Sequence, residues 1–383
     1  RNPVTGRDGA RFPAVRSAPD PAEVARAATL LSKATNPVLI IGGGAHISGC
    51  QNEVKQLAEL IGAPVVTSIS GKGIIEETHP QAFGCTGTFG SPVARDIVKA
   101  ADVVMFIGCK AGQLSTFNYR IPQHDAQIIH LDNDPEEIGR NYPNSVPLVA
   151  DALLGTQAML AALSGTTANT NWKFEPFKQQ YQAWYDEKTN PATPSNTPIR
   201  PPTVMEIVNQ HLKDDDIVVC DASLSSGWAA AFLNFSVAGR RMIAPRGLAG
   251  LGWGSPAAIG ASLARKQKSR ILQFAGDGGF GYSLQEIEVM ARFNLPVVNV
   301  IFNNDTLGWI KHVQKDYYDQ NYVSTDFAHI NFATVAEGFG ARGYTAKTLD
   351  EFAEYLAMEE KPSGPAVIEV LSDQWESPVL GTA

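Results

Sequence analysis

An aspartate set among glycines, Gly276-Asp277-Gly278-Gly279, and a pair of asparagines, Asn303-Asn304, are the residues whose types and spacing could do chemistry. Asp277 follows the apolar run Ile271–Phe274, and Asn304 follows Val297–Phe302, 27 residues further on. A carboxylate and an amide oxygen are hard donors. They suit Mg²⁺ or Ca²⁺ better than zinc, and they leave coordination positions for a phosphate-bearing ligand and water. The glycines allow close backbone approach to such a ligand. Taken singly, either piece reads as an ordinary turn. What joins them is the helix expected between the two runs, with Leu284, Ile287 and Ala291 on one face. A strand, helix and strand of that length make a right-handed crossover between parallel strands. Both side chains then emerge at the carboxyl edge of one sheet. Open α/β sheets bind ligands there, beside helix N-termini that favour anions. The residues alone indicate a metal–diphosphate site.

The elements that must position them recur along the chain. Asp20 opens a helix, with Pro21 at its first position and Val24, Ala28 and Leu31 on one face. The runs Pro37–Ile41, Val65–Val66, Val103–Ile107 and Ile128–Leu131 show no alternation, as expected of strands buried on both faces. A second series at Ile217–Cys220, Ile271–Phe274, Val297–Phe302 and Ala366–Val370 alternates with helical patterns. Strands alternating with helices imply parallel sheets with helical crossovers. The fold class is therefore α/β, with two doubly wound parallel-sheet domains. We expect a linker at 1–19, a first domain at 20–163, a linker with a surface helix at 164–200 and a second domain at 201–383. The prolines between Pro191 and Pro202 mark the boundary.

Composition narrows the function. The 383 residues are 44% hydrophobic and 18% charged, which excludes a mainly disordered chain. A net charge of −8 with no long Lys/Arg run is a poor match to nucleic acid or an anionic membrane. No apolar run approaches the roughly 20 residues of a membrane-spanning helix. Four scattered cysteines without a CxxC argue against a disulfide scaffold or zinc, and fit a cytoplasmic protein. The opening RNPVTGRDGARFP has no apolar core, so it does not read as a secretory signal. It also lacks an initiator Met. The chain is read as the later part of a longer polypeptide, or as one subunit of a split one.

The stretch GDGGFGYSLQEIEVMARFNLPVVNVIFNN resembles the signature of thiamin diphosphate-dependent enzymes. Gly247 to Ala258 is similar to the corresponding segment of acetolactate synthases, and Asp221 to Trp228 takes the place of their first diphosphate-binding turn. PVLIIGGG, SGKGIIEETHP, GCTGTFG and ADVVMFIG resemble the central domain of the same enzymes. The resemblance implies a Rossmann-like central domain followed by a thiamin diphosphate-binding fold. Carried over by position, Asp277 and Asn304 ligate Mg²⁺ by side chain and Thr306 by its carbonyl. Ser225, Ser226 and the Gly278-Gly279 amides hold the diphosphate. Gly250, Gly276, Leu307 and Gly308 belong to the same cofactor site. Leu251 is the wedge that bends the cofactor, and the Ala249 carbonyl accepts from its 4′-amino group. The cofactor then serves as electron sink for decarboxylation of a 2-oxo acid.

That resemblance implies decarboxylation and carboligation of 2-oxo acids of the acetolactate synthase type. A 2-hydroxyacyl-CoA lyase, with an acyl-CoA-type substrate, or a 2-oxo acid decarboxylase is the alternative within the family. A non-catalytic nucleotide-binding or regulatory subunit is the alternative outside it. The family also needs a glutamate from a pyrimidine-binding domain. Glu286 and Glu288 read as structural, so that domain is expected on another polypeptide or segment, in a homo- or hetero-oligomer. The chain alone is expected to show no turnover. In related enzymes the central domain holds FAD, an ADP-type nucleotide or nothing. Thr67, Lys72, Gly87, Thr88, Lys110 and Asp132 stand where such a ligand would lie. Cys109-Lys110-Ala111-Gly112 and Thr88-Phe89-Gly90 depart from the FAD-binding pattern. Val313 falls where acetolactate synthases often carry a substrate-selecting Trp. Trp309 and His312, three apart on an expected helix, share a face that can border the substrate pocket, although a solvated position on a surface helix is the commoner reading of His312. Cys109 and Cys220 read as buried packing.

Overall fold

The computed structural model describes residues 13, 15–143, 145–191 and 198–378. Most of the linker expected at 1–19, and residues 192–197 of the proline-rich stretch, lie outside them. The chain divides into two compact units, residues 1–88 with 92–177 and residues 89–91 with 178–383. The division falls inside the helix Phe174–Thr189, within the stretch expected to connect the domains.

In the first unit, β1 (Pro37–Ile41), β2 (Val65–Thr67), β3 (Ala82–Cys85), β4 (Val103–Ile107), β5 (Gln127–Asp132) and β6 (Val146–Val149) form one sheet. All pairings are parallel, in the order β3-β2-β1-β4-β5-β6. In the second unit, β7 (Ile217–Cys220), β8 (Met242–Ile243), β9 (Ile271–Gly276), β10 (Val297–Asn303), β11 (Arg342–Ala346) and β12 (Ala366–Leu371) form another. It too is wholly parallel, in the order β11-β12-β10-β9-β7-β8. The runs without alternation are the central strands: β1, β4 and β10 are buried at every residue. Helices flank both sheets, as the doubly wound reading requires.

Local signals start the helices where expected. Asp20 Oδ1 accepts the Ala22 N–H at 2.8 Å ahead of the helix Pro21–Lys33. Thr348 and Glu351 form a reciprocal capping box on Leu349–Met358. Strands β3, β6, β8 and β11 had no sequence expectation. β11 reads RGYTA, without an apolar run, because it is a half-buried edge strand. Among the described residues no helix is long and apolar enough to cross a membrane.

Register explains how the site arises. Phe302 on β10 lies opposite Gly276 on β9. The next residues, Asp277 and Asn303-Asn304, therefore leave the sheet side by side. β7 and β9 are neighbours, and the chain visits β8 on the far side of β7 between them. The strand order thus reverses at β7 and β9, which opens a crevice at their carboxyl ends.

Candidate active site

That crevice is a cavity of about 270 Å³. Its walls are the turn after β7, the loop after β8, the Gly276–Gly279 turn, the segment after β10 and the C-terminal stretch. Asp277 is 7% exposed. Its Oδ1 accepts the Gly278 N–H at 2.6 Å, and its Oδ2 accepts those of Asn304 at 3.0 Å and Thr306 at 3.3 Å. Asn304 Oδ1 accepts the Thr306 N–H at 3.3 Å. The two side chains singled out in the sequence thus meet in one hydrogen-bonded cluster. Burial pushes the Asp277 carboxyl up to about 6, against the opposing effect of the backbone N–H donors. Among the described residues no cationic side chain pairs with it.

The loop after β8 is anchored from below by Asp221. This carboxylate is 1% exposed, and it accepts the Gly252 N–H at 3.0 Å and the Gly254 N–H at 3.1 Å. Leu251 and Ala249 line the cleft, with Leu251 39% exposed and Ala249 in the left-handed region at φ 48°. Ser223, at the head of the helix Leu224–Phe232, has φ 77° and ψ −151°, a conformation that costs a side-chain-bearing residue about 1–3 kcal/mol. Its side chain makes no capping hydrogen bond in return. Ser223→Gly should therefore raise the urea unfolding midpoint, with a net gain of about 1 kcal/mol after the extra freedom of glycine in the unfolded chain. An unchanged or lowered midpoint would contradict strain at this position.

Most of the residues proposed from sequence line the cleft: Ser225, Ala249, Leu251, Gly276, Asp277, Gly278, Gly279, Asn304, Thr306, Leu307 and Gly308. Ser226 and Gly250 do not. The Ser226 hydroxyl turns back to the Ser223 carbonyl at 2.8 Å and receives Arg246 Nη2 at 2.9 Å. Trp309 lines the cleft; His312 does not, and its Nε2 lies 3.2 Å from the Glu376 carbonyl. Glu376 and Asp373 are wall residues that the sequence did not single out. They follow the last strand in a stretch without periodicity, so only the fold brings them there. Asp221 was visible as part of a turn, not as its anchor. Cys109 and Cys220 are buried, as expected.

Three observations test whether a Mg²⁺–diphosphate group fits. First, a buried carboxylate with a raised pKa and no cationic partner is stabilised by a cation. Secondly, a Cβ on Gly276 would meet nothing within 4 Å, whereas one on Gly278 would strike Leu307 Cδ2 at 2.7 Å. The turn is thus bare backbone, open at Gly276 and tightly packed at Gly278. Thirdly, the donors are oxygens. Among the described residues no group of three or more His, Cys, Asp or Glu is placed to hold a metal. A cation here would complete its shell from neutral oxygens and from the ligand, as hard cations do with phosphates. The residues fit the group.

Residues 221–370 match the family described as "Thiamine pyrophosphate enzyme, C-terminal TPP binding domain", and residues 24–163 match "Thiamine pyrophosphate enzyme, central domain". The chain belongs to the thiamin diphosphate enzyme family. It is similar to a probable acetolactate synthase large subunit of Methanocaldococcus jannaschii, 32% identical over 93% of this chain and 61% of that protein. It is also similar to the acetolactate synthase isozyme 3 large subunit of Escherichia coli, 30% identical over 84% of this chain and 56% of that protein. A putative thiamine pyrophosphate-containing protein of Bacillus subtilis is 27% identical over 92% of this chain and 59% of that one. The chain thus spans about three fifths of the length of these thiamin diphosphate-enzyme relatives.

The residues expected around a nucleotide all lie in the first unit. Lys72 Nζ pairs with Glu77 at 2.6 Å, and Lys110 Nζ with Glu137 at 2.8 Å. Asp132 Oδ1 accepts the Asp134 N–H at 3.0 Å, and Thr67 Oγ1 lies 3.4 Å from Cys85 Sγ. The Gly42 and Gly44 N–H groups donate to the Ile107 and Gly108 carbonyls at the end of β4. Of the side chains expected around FAD or an ADP moiety, those of Thr67, Lys72, Lys110 and Asp132 thus already have polar partners, whereas the Thr88 hydroxyl is buried without one among the described residues.

Proposed function

We propose that the chain carries the diphosphate-anchoring half of a thiamin diphosphate-dependent carboligase that decarboxylates 2-oxo acids, of the acetolactate synthase type. One observation carries the reading: Asp277 and Asn304 converge, beside the bare Gly276–Gly279 turn, inside the stretch that matches the family's cofactor-binding domain. In this reading Asp277 and Asn304 hold Mg²⁺ through side-chain oxygens. The Thr306 hydroxyl is committed to the Thr325 carbonyl at 2.9 Å, so Thr306 would contribute its own carbonyl. The Gly278 and Gly279 backbone, Ser225, Leu307 and Gly308 surround the diphosphate, which the N-terminus of the helix Gly308–Tyr317 further favours.

When bound, thiamin diphosphate supplies a nucleophilic carbon and an electron sink for decarboxylation. The residues of this chain would orient it, with Leu251 packing against it from the cleft wall and the Ala249 carbonyl available as a hydrogen-bond acceptor. Trp309, Ile310 and Glu376 border the remaining volume, where the 2-oxo acid would be selected. The relatives' greater length supports a pyrimidine-binding domain, on another segment or subunit, as the partner that completes the site. A cytoplasmic homo- or hetero-oligomer belongs to the same reading.

The test is a titration of the chain with thiamin diphosphate in the presence and absence of Mg²⁺. Saturable binding that needs the metal is expected, followed by turnover of a 2-oxo acid panel once the pyrimidine-binding domain is supplied. Failure to bind even with that domain present would favour a regulatory subunit instead.

A further inference from the structure

Asp221 is buried beneath the cleft and does not line it. It nevertheless joins three of the cleft walls. It begins the turn after β7, and its own N–H donates to the Phe274 carbonyl on β9 at 2.8 Å. Its two oxygens hold the Gly252 and Gly254 N–H groups of the loop that carries Leu251. It also packs against Gly279, where a Cβ would run into Asp221 Oδ2; Leu251 Cδ2 lies 3.7 Å from that same point. Elsewhere the loop is tied by Arg246 Nη2, which donates to Ser226 Oγ at 2.9 Å, and by the close packing of Gly252 on Tyr282, but the stretch that carries Leu251 is sparsely packed. Gly247, Ala249 and Gly252 all have positive φ. Leu248 is 98% exposed, and a Cβ on Gly247 or Gly250 would meet nothing within 4 Å. A backbone so bent and so sparsely packed needs a fixed point, and hydrogen bonds to a buried carboxylate are the strong kind.

We propose that Asp221 is a positioning residue: its carboxylate fixes the height of Leu251 in the cleft, and so favours a thiamin diphosphate folded over that side chain above a bare diphosphate. The inference rests on the thiamin diphosphate reading. Asp277 and Asn304 grip the diphosphate end, whereas Asp221 acts on the ring end through the loop. The two contributions are therefore separable by ligand.

The experiment uses four forms of the chain: unaltered, Asp221→Asn, Leu251→Ala and the double variant. Affinities for thiamin diphosphate and for inorganic pyrophosphate are measured with Mg²⁺, by quenching of Trp228 and Trp309, which line the cleft. Asp221→Asn is isosteric but turns a donor toward a backbone N–H. It should weaken thiamin diphosphate roughly tenfold, about 1.4 kcal/mol. Pyrophosphate should change by less than about twofold, and the Asn change should add little once Leu251 is Ala, because coupled residues are not additive. Should the Asn form not fold, Asp221→Ser takes its place with the same expected ratio. Equal weakening of both ligands, no weakening, or losses that multiply in the double variant would overturn the proposal. If the unaltered chain binds no thiamin diphosphate even with the pyrimidine-binding domain supplied, the underlying reading fails and the proposal with it. If it binds and the Asn form binds as well, only the proposal fails.

Discussion

Asp277→Ala should abolish metal-dependent cofactor binding, with a loss on the order of 100-fold or more, since even partners behind a metal ligand cost roughly 10–100-fold when removed. The aspartate would give the cation its only anionic protein oxygen in the cluster, and it also collects the N–H groups of Gly278, Asn304 and Thr306. Ala removes the charge and leaves those donors without an acceptor. Wild-type affinity in that variant would contradict the site assignment. The pH dependence follows from the same carboxyl. Its folded-state pKa, about 6, lies above the ordinary 3.8, so the native state holds the proton more tightly than the unfolded chain. Without metal, the stability it contributes is present below about pH 4 and is lost as pH rises through about 6, on the order of 3 kcal/mol at 1.36 kcal/mol per unit. A divalent cation reverses the preference, because only the carboxylate ligates. The rise in unfolding midpoint on adding Mg²⁺ and thiamin diphosphate should therefore be large at pH 7.5 and shrink below pH 6. A rise that is equal at pH 5 and pH 7.5 would refute this account.

The parts legible in the sequence are those with a period or a hard chemical type. Strands β1, β4 and β10 are uninterrupted apolar runs because both of their faces are covered, and burial at every residue follows. Asp277 and Asn304 were legible because a carboxylate and an amide at two strand ends have few structural uses in common. What stayed hidden depends on where side chains turn. Ser225 and Ser226 look equivalent in sequence, yet only Ser225 lines the cleft. Both hydroxyls turn back to carbonyls of the preceding turn, and the Ser226 hydroxyl also receives Arg246, a placement that no residue type discloses. The Asp221 carboxylate faces inward to bind a loop some 30 residues later, and its partners are glycine N–H groups that carry no sequence signature. The positive φ of Ser223 was equally invisible, since serine gives no sign of a conformation that glycine prefers. Edge strand β11 lacked the apolar run because it is only half buried.

Replacing Glu369 should have the second large effect, on stability and on the metal loop together. Glu369 lies on β12 and is fully buried. Its Oε1 accepts Asn303 Nδ2 at 2.6 Å and the Phe332 N–H at 3.2 Å, and its Oε2 accepts Thr345 Oγ1 at 2.8 Å. Asn303 in turn donates to the Ile330 carbonyl at 2.9 Å and accepts the Asp305 N–H at 3.3 Å. Beyond the β10–β12 ladder and the Ser372 N–H, which donates to the Asn303 carbonyl at 2.8 Å, this buried carboxylate fastens the side chain that precedes Asn304 to β12. In Glu369→Leu, three donors lose their acceptor inside the sheet, at about 1–3 kcal/mol for each one left unsatisfied. These losses overlap because the donors share one network, so a total of about 3–5 kcal/mol is expected from urea unfolding. Glu369→Gln keeps the shape and one acceptor oxygen, and should lower stability by only about 1 kcal/mol. Its effect on Mg²⁺-dependent cofactor affinity should be larger in proportion, roughly tenfold, because it loosens the aim of Asn303 behind the ligands. That disproportion is the decisive readout. A Gln form that loses stability but binds Mg²⁺ and thiamin diphosphate normally would show that Glu369 holds the sheet together without setting the loop.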